Sequence, residues 1–167
     1  MALDQSLATK LGRNGSIVRQ TRGSGGYYKK MKTKGADIWI GAGVTRFGET
    51  GSFIDLCAKG EPLWGIVTGE WHVTDLSHDA DNPFAANTWV LVYVFGRGDQ
   101  IYLTAKTNTA ITKDVKVQCE AGFFIPYAYT DGTQATDLLE SVFGVADEAV
   151  TATAATEKTF LATAGVA

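Results

Sequence analysis

The sequence lacks the features that mark membrane proteins and secreted proteins. None of its apolar stretches approaches the ~20 residues that a membrane-spanning helix needs. Its first residues, Met-Ala-Leu-Asp-Gln-Ser, do not form the basic and then apolar start of a signal peptide. We therefore expect a protein that is made and used without secretion and that has no membrane partner.

Cysteine and histidine are scarce, with two residues of each. Cys57 and Cys119 lie far apart in the chain, and neither belongs to a CxxC pair. Disulfides are uncommon inside cells, so we predict that both cysteines are small buried hydrophobic residues.

Both histidines, His72 and His78, fall in the acidic segment 72–82. Carboxylate oxygens of this segment could hold calcium, and the two imidazoles could hold zinc. The spacing fits neither an EF-hand loop nor a zinc pattern, and a third zinc ligand is not obvious. We predict a polar surface loop that ends at Pro83 and no metal.

Motifs for catalysis are also missing. The sequence has no GxSxG elbow, and neither cysteine has a histidine at a motif spacing. The glycines at 23–26 and 41–43 do not complete a phosphate-binding loop. The tripeptide 97–99, Arg-Gly-Asp, is read by some adhesion receptors, but a turn at this place explains its glycine and its aspartate. We predict a protein that is not an enzyme and needs no cofactor.

What the chain does contain favours β structure. It has 167 residues, of which 45% are hydrophobic and 20% charged, as in a globular protein with one real core. Nineteen glycines, many threonines and valines and few helix-forming runs indicate short strands joined by tight turns. The predicted fold class is mainly β: a single compact sandwich or small barrel of about eight to ten short strands, with an extended N-terminal arm.

The apolar runs place these strands. Residues 88–95 are apolar on both faces and predict the central strand, and the turn at 96–99 predicts a hairpin into a strand over 100–104. A turn at Gly69-Glu70 is predicted between strands at 63–68 and 71–74. Segment 113–150 predicts a half-buried strand over 115–119 with Lys116 and Gln118 on its open side, and a strand over 123–127 whose proline suits an edge or a strand end. A turn at 130–133 and another strand from Phe143 are predicted after it. Further strands are predicted at 37–40, 53–57 and 159–163, and one or two helical turns at 135–143.

The charges are divided unevenly along the chain. Residues 1–34 carry eight basic residues and one acidic residue, a net charge of +7, whereas residues 35–167 carry seven basic and seventeen acidic residues, a net charge of −10. From residue 12 to residue 26, glycine, serine and arginine alternate without a period and with little apolar surface. We predict a basic extended arm over residues 1–34 and a β-rich body over residues 35–167.

The arm is the predicted contact site. Its candidate binding residues are basic or aromatic: Lys10, Arg13, Arg19, Arg22, Tyr27, Tyr28, Lys29, Lys30, Lys32 and Lys34. Three interpretations stay open, namely docking on another protein, non-specific binding of nucleic acid, and a free solvated tail. Protein docking is favoured and nucleic acid is disfavoured because an acidic body repels a phosphate backbone.

Several phrases near the C-terminus are similar to those of a known family. They are Val115-Lys116-Val117, residues 121–126, residues 144–152 and Phe160-Leu161-Ala162, with Gly60 to Val67 upstream. Together they resemble the closing strands of small capsid decoration proteins, also called cement proteins, of tailed bacteriophages. The resemblance covers roughly residues 35–167 and rests on small and apolar residues.

The resemblance implies a β-rich structural protein of the virion that is made in the host cytoplasm. Such a protein sits on the exterior of an assembled capsid, commonly as a homotrimer, and stabilises it by bridging subunits of the major capsid protein. The alternatives are another β-rich virion component, such as a head-fibre base or tail-tube subunit, and a nucleic-acid-associated protein that acts through the basic arm.

Overall fold

The protein is described here by a computed structural model, which defines residues 17–19, 25–48, 51–70, 78–127, 141–153 and 158–165. In these ranges thirteen strands follow one another: β1 (Ile17–Arg19), β2 (Tyr27–Thr33), β3 (Gly43–Phe47), β4 (Phe53–Leu56), β5 (Gly65–Glu70), β6 (Trp89–Val94), β7 (Gln100–Ala105), β8 (Ala110–Ile111), β9 (Lys116–Glu120), β10 (Phe123–Pro126), β11 (Val142–Ala146), β12 (Val150–Thr151) and β13 (Lys158–Ala164). Among the described residues, none belongs to a helix that could cross a membrane. The prediction of a mainly β fold is confirmed, with more strands than expected.

Five of these strands close a barrel in the order β2-β4-β3-β5-β6. The β2–β4 pair is parallel, whereas the other described pairs of the barrel are antiparallel. Side chains alternate across each strand, so Met31 on β2, Val44 on β3, Ile54 on β4 and Val90 and Val92 on β6 point inward and are buried. The barrel is closed because every one of its strands has two hydrogen-bonded neighbours.

The second sheet has the order β1-β7-β10-β9-β11-β13, and β13 also pairs with β7 over Lys158 to Thr163. This additional pairing curls the sheet round on itself. Its inner face buries aromatic and small side chains together: Ile101, Leu103, Val117, Cys119, Phe124, Phe143, Phe160 and Ala162. The same cluster also includes Ile66 and Tyr93 of the barrel strands and Cys57, which follows β4. This shared cluster packs the barrel and the second sheet against each other.

A tight turn at this joint holds the β9–β10 hairpin. Ala121 and Gly122 both have positive φ, 51° and 83°, which is the backbone of a type I′ hairpin turn. Gly122 N–H donates to the Cys57 carbonyl at 3.2 Å, and Gly43 N–H donates to the Gly122 carbonyl at 2.9 Å. A Cβ at Gly122 would lie 2.8 Å from Trp39 Cη2 and from Leu56 Cδ2, so only glycine fits this crossing point without a shift.

Several predicted elements are confirmed. Strands β4, β9, β10 and β13 lie where the apolar runs place them, and β10 ends on its proline at Pro126. The strand predicted from Phe143 is also present, as β11. Gln118, predicted on the open face of a half-buried strand, is instead fully buried, and neither its Oε1 nor its Nε2 hydrogen-bonds to a described residue.

Other predicted elements are wrong. The turn at 96–99 exists, but β6 belongs to the barrel and β7 to the second sheet, so they do not form a hairpin. Residues 37–40 are not a strand, although Ile38, Trp39 and Ile40 are buried. Gly69 and Glu70, predicted as a turn, are the last two residues of strand β5. The turn predicted at 130–133, the strand at 71–74 and most of the helix at 135–143 lie outside the described residues, and residues 142–143 begin β11.

Candidate functional site

The predicted contact residues divide between the barrel and segments outside the described residues. Lys10, Arg13 and Arg22 lie outside the described ranges, and Arg19 is described only as a backbone position in β1. The other six belong to β2 and the bend that follows it: Tyr27, Tyr28, Lys29, Lys30, Lys32 and Lys34. Residues 27–33 are therefore a barrel strand, and only residues before them can form an extended arm.

A row of side chains crosses the outer surface of the barrel over four strands. Phe47 on β3 lies opposite Phe53 on β4, Phe53 lies beside Lys32 on β2, and Lys32 lies opposite Trp89 on β6. Residues that face each other across neighbouring strands share one face of the sheet, so these four side chains stand side by side. Phe47 and Trp89 are 45% and 44% exposed, so this row leaves two large apolar side chains at the surface.

Lysines extend this row along β2. Lys30, Lys32 and Lys34 alternate with the buried Met31 and Thr33, so all three lysines point outward. We name the six residues Lys30, Lys32, Lys34, Phe47, Phe53 and Trp89 the basic-aromatic face. The face consists of one lysine-rich strand with an aromatic side chain on each side of it.

Each lysine of the face holds its ammonium group close to a ring. Lys34 Nζ lies 3.6 Å from the centroid of Phe47, and Lys30 Nζ lies 4.7 Å from that of Trp89. Lys32 Nζ stands between two rings, 5.6 Å from Trp89 and 5.9 Å from Phe53. A cation over a ring is worth about 0.5–1 kcal/mol at an exposed site, enough to favour these rotamers over others.

Within the described part of the chain, the carboxylate of Asp55 contacts the face. Lys34 Nζ donates to Asp55 Oδ2 at 2.8 Å, and Asp55 Oδ1 accepts a hydrogen bond from the Leu56 N–H at 2.9 Å. The side chains of this ion pair are 44% and 29% exposed, so solvent screens it. Among the described ion pairs of the face, the Lys34 ammonium group is therefore the one that a carboxylate neutralises in part.

The two tyrosines are the first residues of β2 and precede its lysines. Tyr27 and Tyr28 are 49% and 53% exposed. Tyr28 also packs its ring 5.0 Å from that of the buried Tyr93, and burial raises the pKa of the Tyr28 hydroxyl. Tyr28 therefore stands at the border between the exposed face and the joint with the second sheet.

Sequence patterns alone do not identify the aromatic half of the face. Phe47, Phe53 and Trp89 lie on three strands that are separated in the chain by loops, and only the strand register brings them together. The available signal is the alternation in β2, where lysine recurs at every second residue. That alternation indicates a strand with one charged face.

The predicted polar loop is described from His78 onward. His78 Nδ1 lies 3.1 Å from the Asn82 carbonyl, and Asp79 Oδ1 accepts hydrogen bonds from the N–H groups of Asp81 and Asn82. These bonds close a local turn of the kind that aspartate favours. In the described ranges, histidine, cysteine and acidic residues form no group of three that could hold a metal ion.

The two cysteines, distant in sequence, meet at the joint. Both are free thiols with 0% exposure, and Cys119 Sγ donates to the Cys57 carbonyl at 3.5 Å. The prediction that they are buried is confirmed. Burial, followed by the hydrogen bond with Cys57, raises the pKa of the Cys119 thiol well above its usual range, which makes this thiol a poor nucleophile at neutral pH.

The Arg-Gly-Asp tripeptide does not expose its aspartate. Asp99 has 0% exposure, and its Oδ2 accepts hydrogen bonds from Tyr93 Oη at 2.6 Å and from the Gly96 N–H at 2.9 Å. A receptor that reads this tripeptide needs its carboxylate at the surface. The tripeptide is therefore part of the turn between β6 and β7.

Comparison with known proteins assigns no family to this chain. No family model matches the sequence, and a search of curated proteins finds no similar sequence. The resemblance to capsid decoration proteins stays a prediction.

Proposed function

We propose that this chain is a non-enzymatic structural protein of a virus particle, which binds the outside of an assembled capsid and stabilises it by bridging capsid subunits. The observation that carries the proposal is the basic-aromatic face, an exposed set of large rings and ammonium groups on a closed barrel. Exposed aromatic residues on a rigid support are typical of surfaces that bind other proteins. The phrases between Val115 and Ala162 supply the link to a capsid.

The shape of the body suits such a role. The barrel and the second sheet share one buried cluster, so a load on one is transmitted to the other. A decoration protein needs this stiffness because it must hold neighbouring subunits at a fixed spacing. The folded body is already rigid, so little conformational entropy is lost on binding, and the contacts with the shell supply the favourable free energy.

The basic N-terminal residues have a separate part in the proposal. Strand β1 pairs with β7 of its own chain, with Ile17 opposite Ile101, and so holds this segment against the body. In this proposal, residues 1–16, with Lys10 and Arg13, bind a neighbouring capsid subunit. Charge-assisted hydrogen bonds to acidic patches are the expected contact.

The remaining parts of the proposal follow from the resemblance. The partner is the major capsid protein, the oligomer is a homotrimer, and the location is the capsid exterior after synthesis in the host cytoplasm. Neither a cofactor nor a metal takes part.

The test uses shells assembled from the major capsid protein that the same genome encodes. Full-length protein and a variant that lacks residues 2–16 are added to purified shells, and occupancy is counted by electron cryomicroscopy. Residues 27–33 must be kept because they are a barrel strand. We expect saturating exterior binding by the full chain and weaker binding by the truncated one. If the full chain does not bind shells, the proposal is wrong.

A second candidate is binding of single-stranded nucleic acid. The specific observation in its favour is the alternation of lysines and rings on the face, which is also the pattern of base-stacking surfaces. Nucleic-acid binding would weaken steeply with added salt, with a slope set by the number of phosphates contacted. A tail-tube subunit, the other virion alternative, would polymerise without a shell, which sedimentation of the purified protein would detect.

A further inference from the structure

We propose that the basic-aromatic face is a docking surface for an extended, carboxylate-rich segment of a partner protein. This inference rests on the proposed function for the identity of the partner, the capsid, but takes the chemistry of the ligand from the face itself. It assigns the main contact to the barrel, whereas the sequence patterns point to the arm.

The ammonium groups of the face are positioned before any ligand arrives. Lys34 is held between the Phe47 ring and the Asp55 carboxylate, and Lys32 between the rings of Trp89 and Phe53. A lysine that already occupies one region of space loses less side-chain entropy when it binds an anion. The rings therefore turn flexible lysines into directed donors.

The lysines already cover the rings, and this favours a carboxylate-bearing ligand over a nucleic acid. The three lysines stand over rings that a nucleobase would need for stacking, at 3.6 Å in the case of Lys34 on Phe47. A nucleic acid would have to displace them and would also meet an acidic body, since residues 27–167 carry eleven basic and seventeen acidic residues, a net charge of −6. A short carboxylate-bearing segment needs only the ammonium groups and contacts little of the acidic body.

The dimensions of the face match an extended peptide. Its row spans four strands, so three strand spacings of ~4.8 Å give a length of about 14 Å. A segment of roughly four residues in extended conformation covers that distance at ~3.3 Å per residue. The three ammonium groups follow this row, with Lys34 over Phe47, Lys32 between Phe53 and Trp89, and Lys30 over Trp89, so aspartate or glutamate side chains of the segment would meet them one after another.

At its other end, the same outer surface of the barrel is covered by the second sheet. Tyr93 lies on the outer side of β6, four residues after Trp89, but packs against the second sheet and has 0% exposure. The fold thus covers the outward aromatic residue at one end of β6 with its own second sheet. At the other end, Trp89 stays 44% exposed beside two lysines, which is the state expected of a surface kept for a partner.

The test uses the full-length protein and a fluorescein-labelled peptide of about twelve glutamates, longer than the face. Binding is measured by fluorescence anisotropy at about 50 mM NaCl, where screening is weak. The test variant carries Lys30→Gln, Lys32→Gln and Lys34→Gln. The matched control carries Lys59→Gln, Lys113→Gln and Lys116→Gln, three exposed lysines outside the face, and has the same net charge.

We expect the test variant to lose about tenfold in affinity and the control to change by less than about twofold, since only the first removes the local donors. A third variant, Phe47→Leu with Trp89→Leu, keeps every charge and removes the rings that position the lysines. We expect it to lose affinity by about threefold. Far-UV circular dichroism checks that all variants fold.

Three results would overturn the inference. The peptide fails to bind the wild-type protein, the two lysine variants lose affinity equally, or an oligothymidylate of equal length binds more tightly than the peptide and loses that affinity in the test variant. The last result would favour the nucleic-acid function.

Shell binding separates this inference from the proposed function. If the test variant loses the peptide but occupies shells as the wild type does, the docking inference fails and the capsid function stands. If the wild type binds the peptide through the face but never binds shells, the capsid function fails and the face remains an acidic-segment binder.

Discussion

Trp89 and Tyr93 lie on the same outward side of β6, four residues apart, and have opposite fates. Trp89 is 44% exposed beside Lys30 and Lys32, whereas Tyr93 has 0% exposure and donates its hydroxyl hydrogen to Asp99. The outer side of β6 is therefore buried at the Tyr93 end and exposed to solvent at the Trp89 end. Residue type does not decide between them, because both are large aromatic residues on one strand face. The second sheet decides, since it reaches only one end.

The largest expected contrast comes from replacing one buried phenylalanine and one exposed phenylalanine by alanine. Phe124 is fully buried and packs near Phe143, whereas Phe47 is 45% exposed. We expect Phe124→Ala to lower the free energy of unfolding by about 3–5 kcal/mol, through lost burial and a cavity. We expect Phe47→Ala to lower it by at most about 1 kcal/mol, the worth of its contact with Lys34. Urea denaturation followed by tryptophan fluorescence measures both.

If Phe124→Ala does not fold, Phe124→Leu keeps the comparison, with an expected loss of roughly 1–2 kcal/mol. Equal losses at positions 124 and 47 would mean that the surroundings of Phe47 are as tightly packed as those of Phe124.

A smaller contrast concerns two tyrosine hydroxyls. Tyr93 Oη donates to the buried Asp99 Oδ2 at 2.6 Å, whereas Tyr28 is 53% exposed. Tyr93→Phe leaves a buried carboxylate with one hydrogen bond fewer and should cost about 1.5–3 kcal/mol. Tyr28→Phe should change stability by less than about 0.5 kcal/mol. Thermal unfolding of the two variants at neutral pH gives the difference, and a costly Tyr28→Phe would contradict it.

The smallest effect is the pH dependence of the joint. Burial raises the pKa of the Cys119 thiol in the folded protein, so the unfolded chain loses this proton first as pH rises. Stability from this group is complete below the unfolded thiol pKa of about 8.5 and declines above it, with a limiting slope of about 1.4 kcal/mol per pH unit.

Urea midpoints at several pH values from neutral to about 9.5 would show this decline. Cys119→Ala should flatten it, whatever the variant's stability at neutral pH. A slope that is the same in both proteins would mean that other groups cause the alkaline loss.

Local patterns account for much of the fold. The apolar runs place β4, β9, β10, β11 and β13, and the pair β9–β10 follows from two strand-forming runs around Gly122. They fail where chain neighbours are not sheet neighbours. A short turn such as 96–99 normally joins partners in a hairpin, but here it passes the chain from the barrel to the second sheet, because β6 already has β2 and β5 as its neighbours.

The candidate site is predicted in part. The chain itself marks Lys30, Lys32 and Lys34 as one charged strand face. Charge alone assigns them to an extended arm, because the apolar residues of β2 are too few to suggest a barrel strand. Strand register, which depends on closure of the barrel, brings three rings beside these lysines: Phe47, Phe53 and Trp89.

A mainly β protein with two buried cysteines, a basic N-terminal part and an acidic remainder can be predicted from the order of its residues. Composition and alternation suffice for these properties because each depends on neighbours along the chain. The tertiary structure is needed to place β2 in the barrel and Cys57 beside Cys119. It alone decided that Trp89 is exposed while Tyr93 is buried. These outcomes depend on which distant strands pair and on how far the second sheet covers the barrel, and long-range packing fixes both.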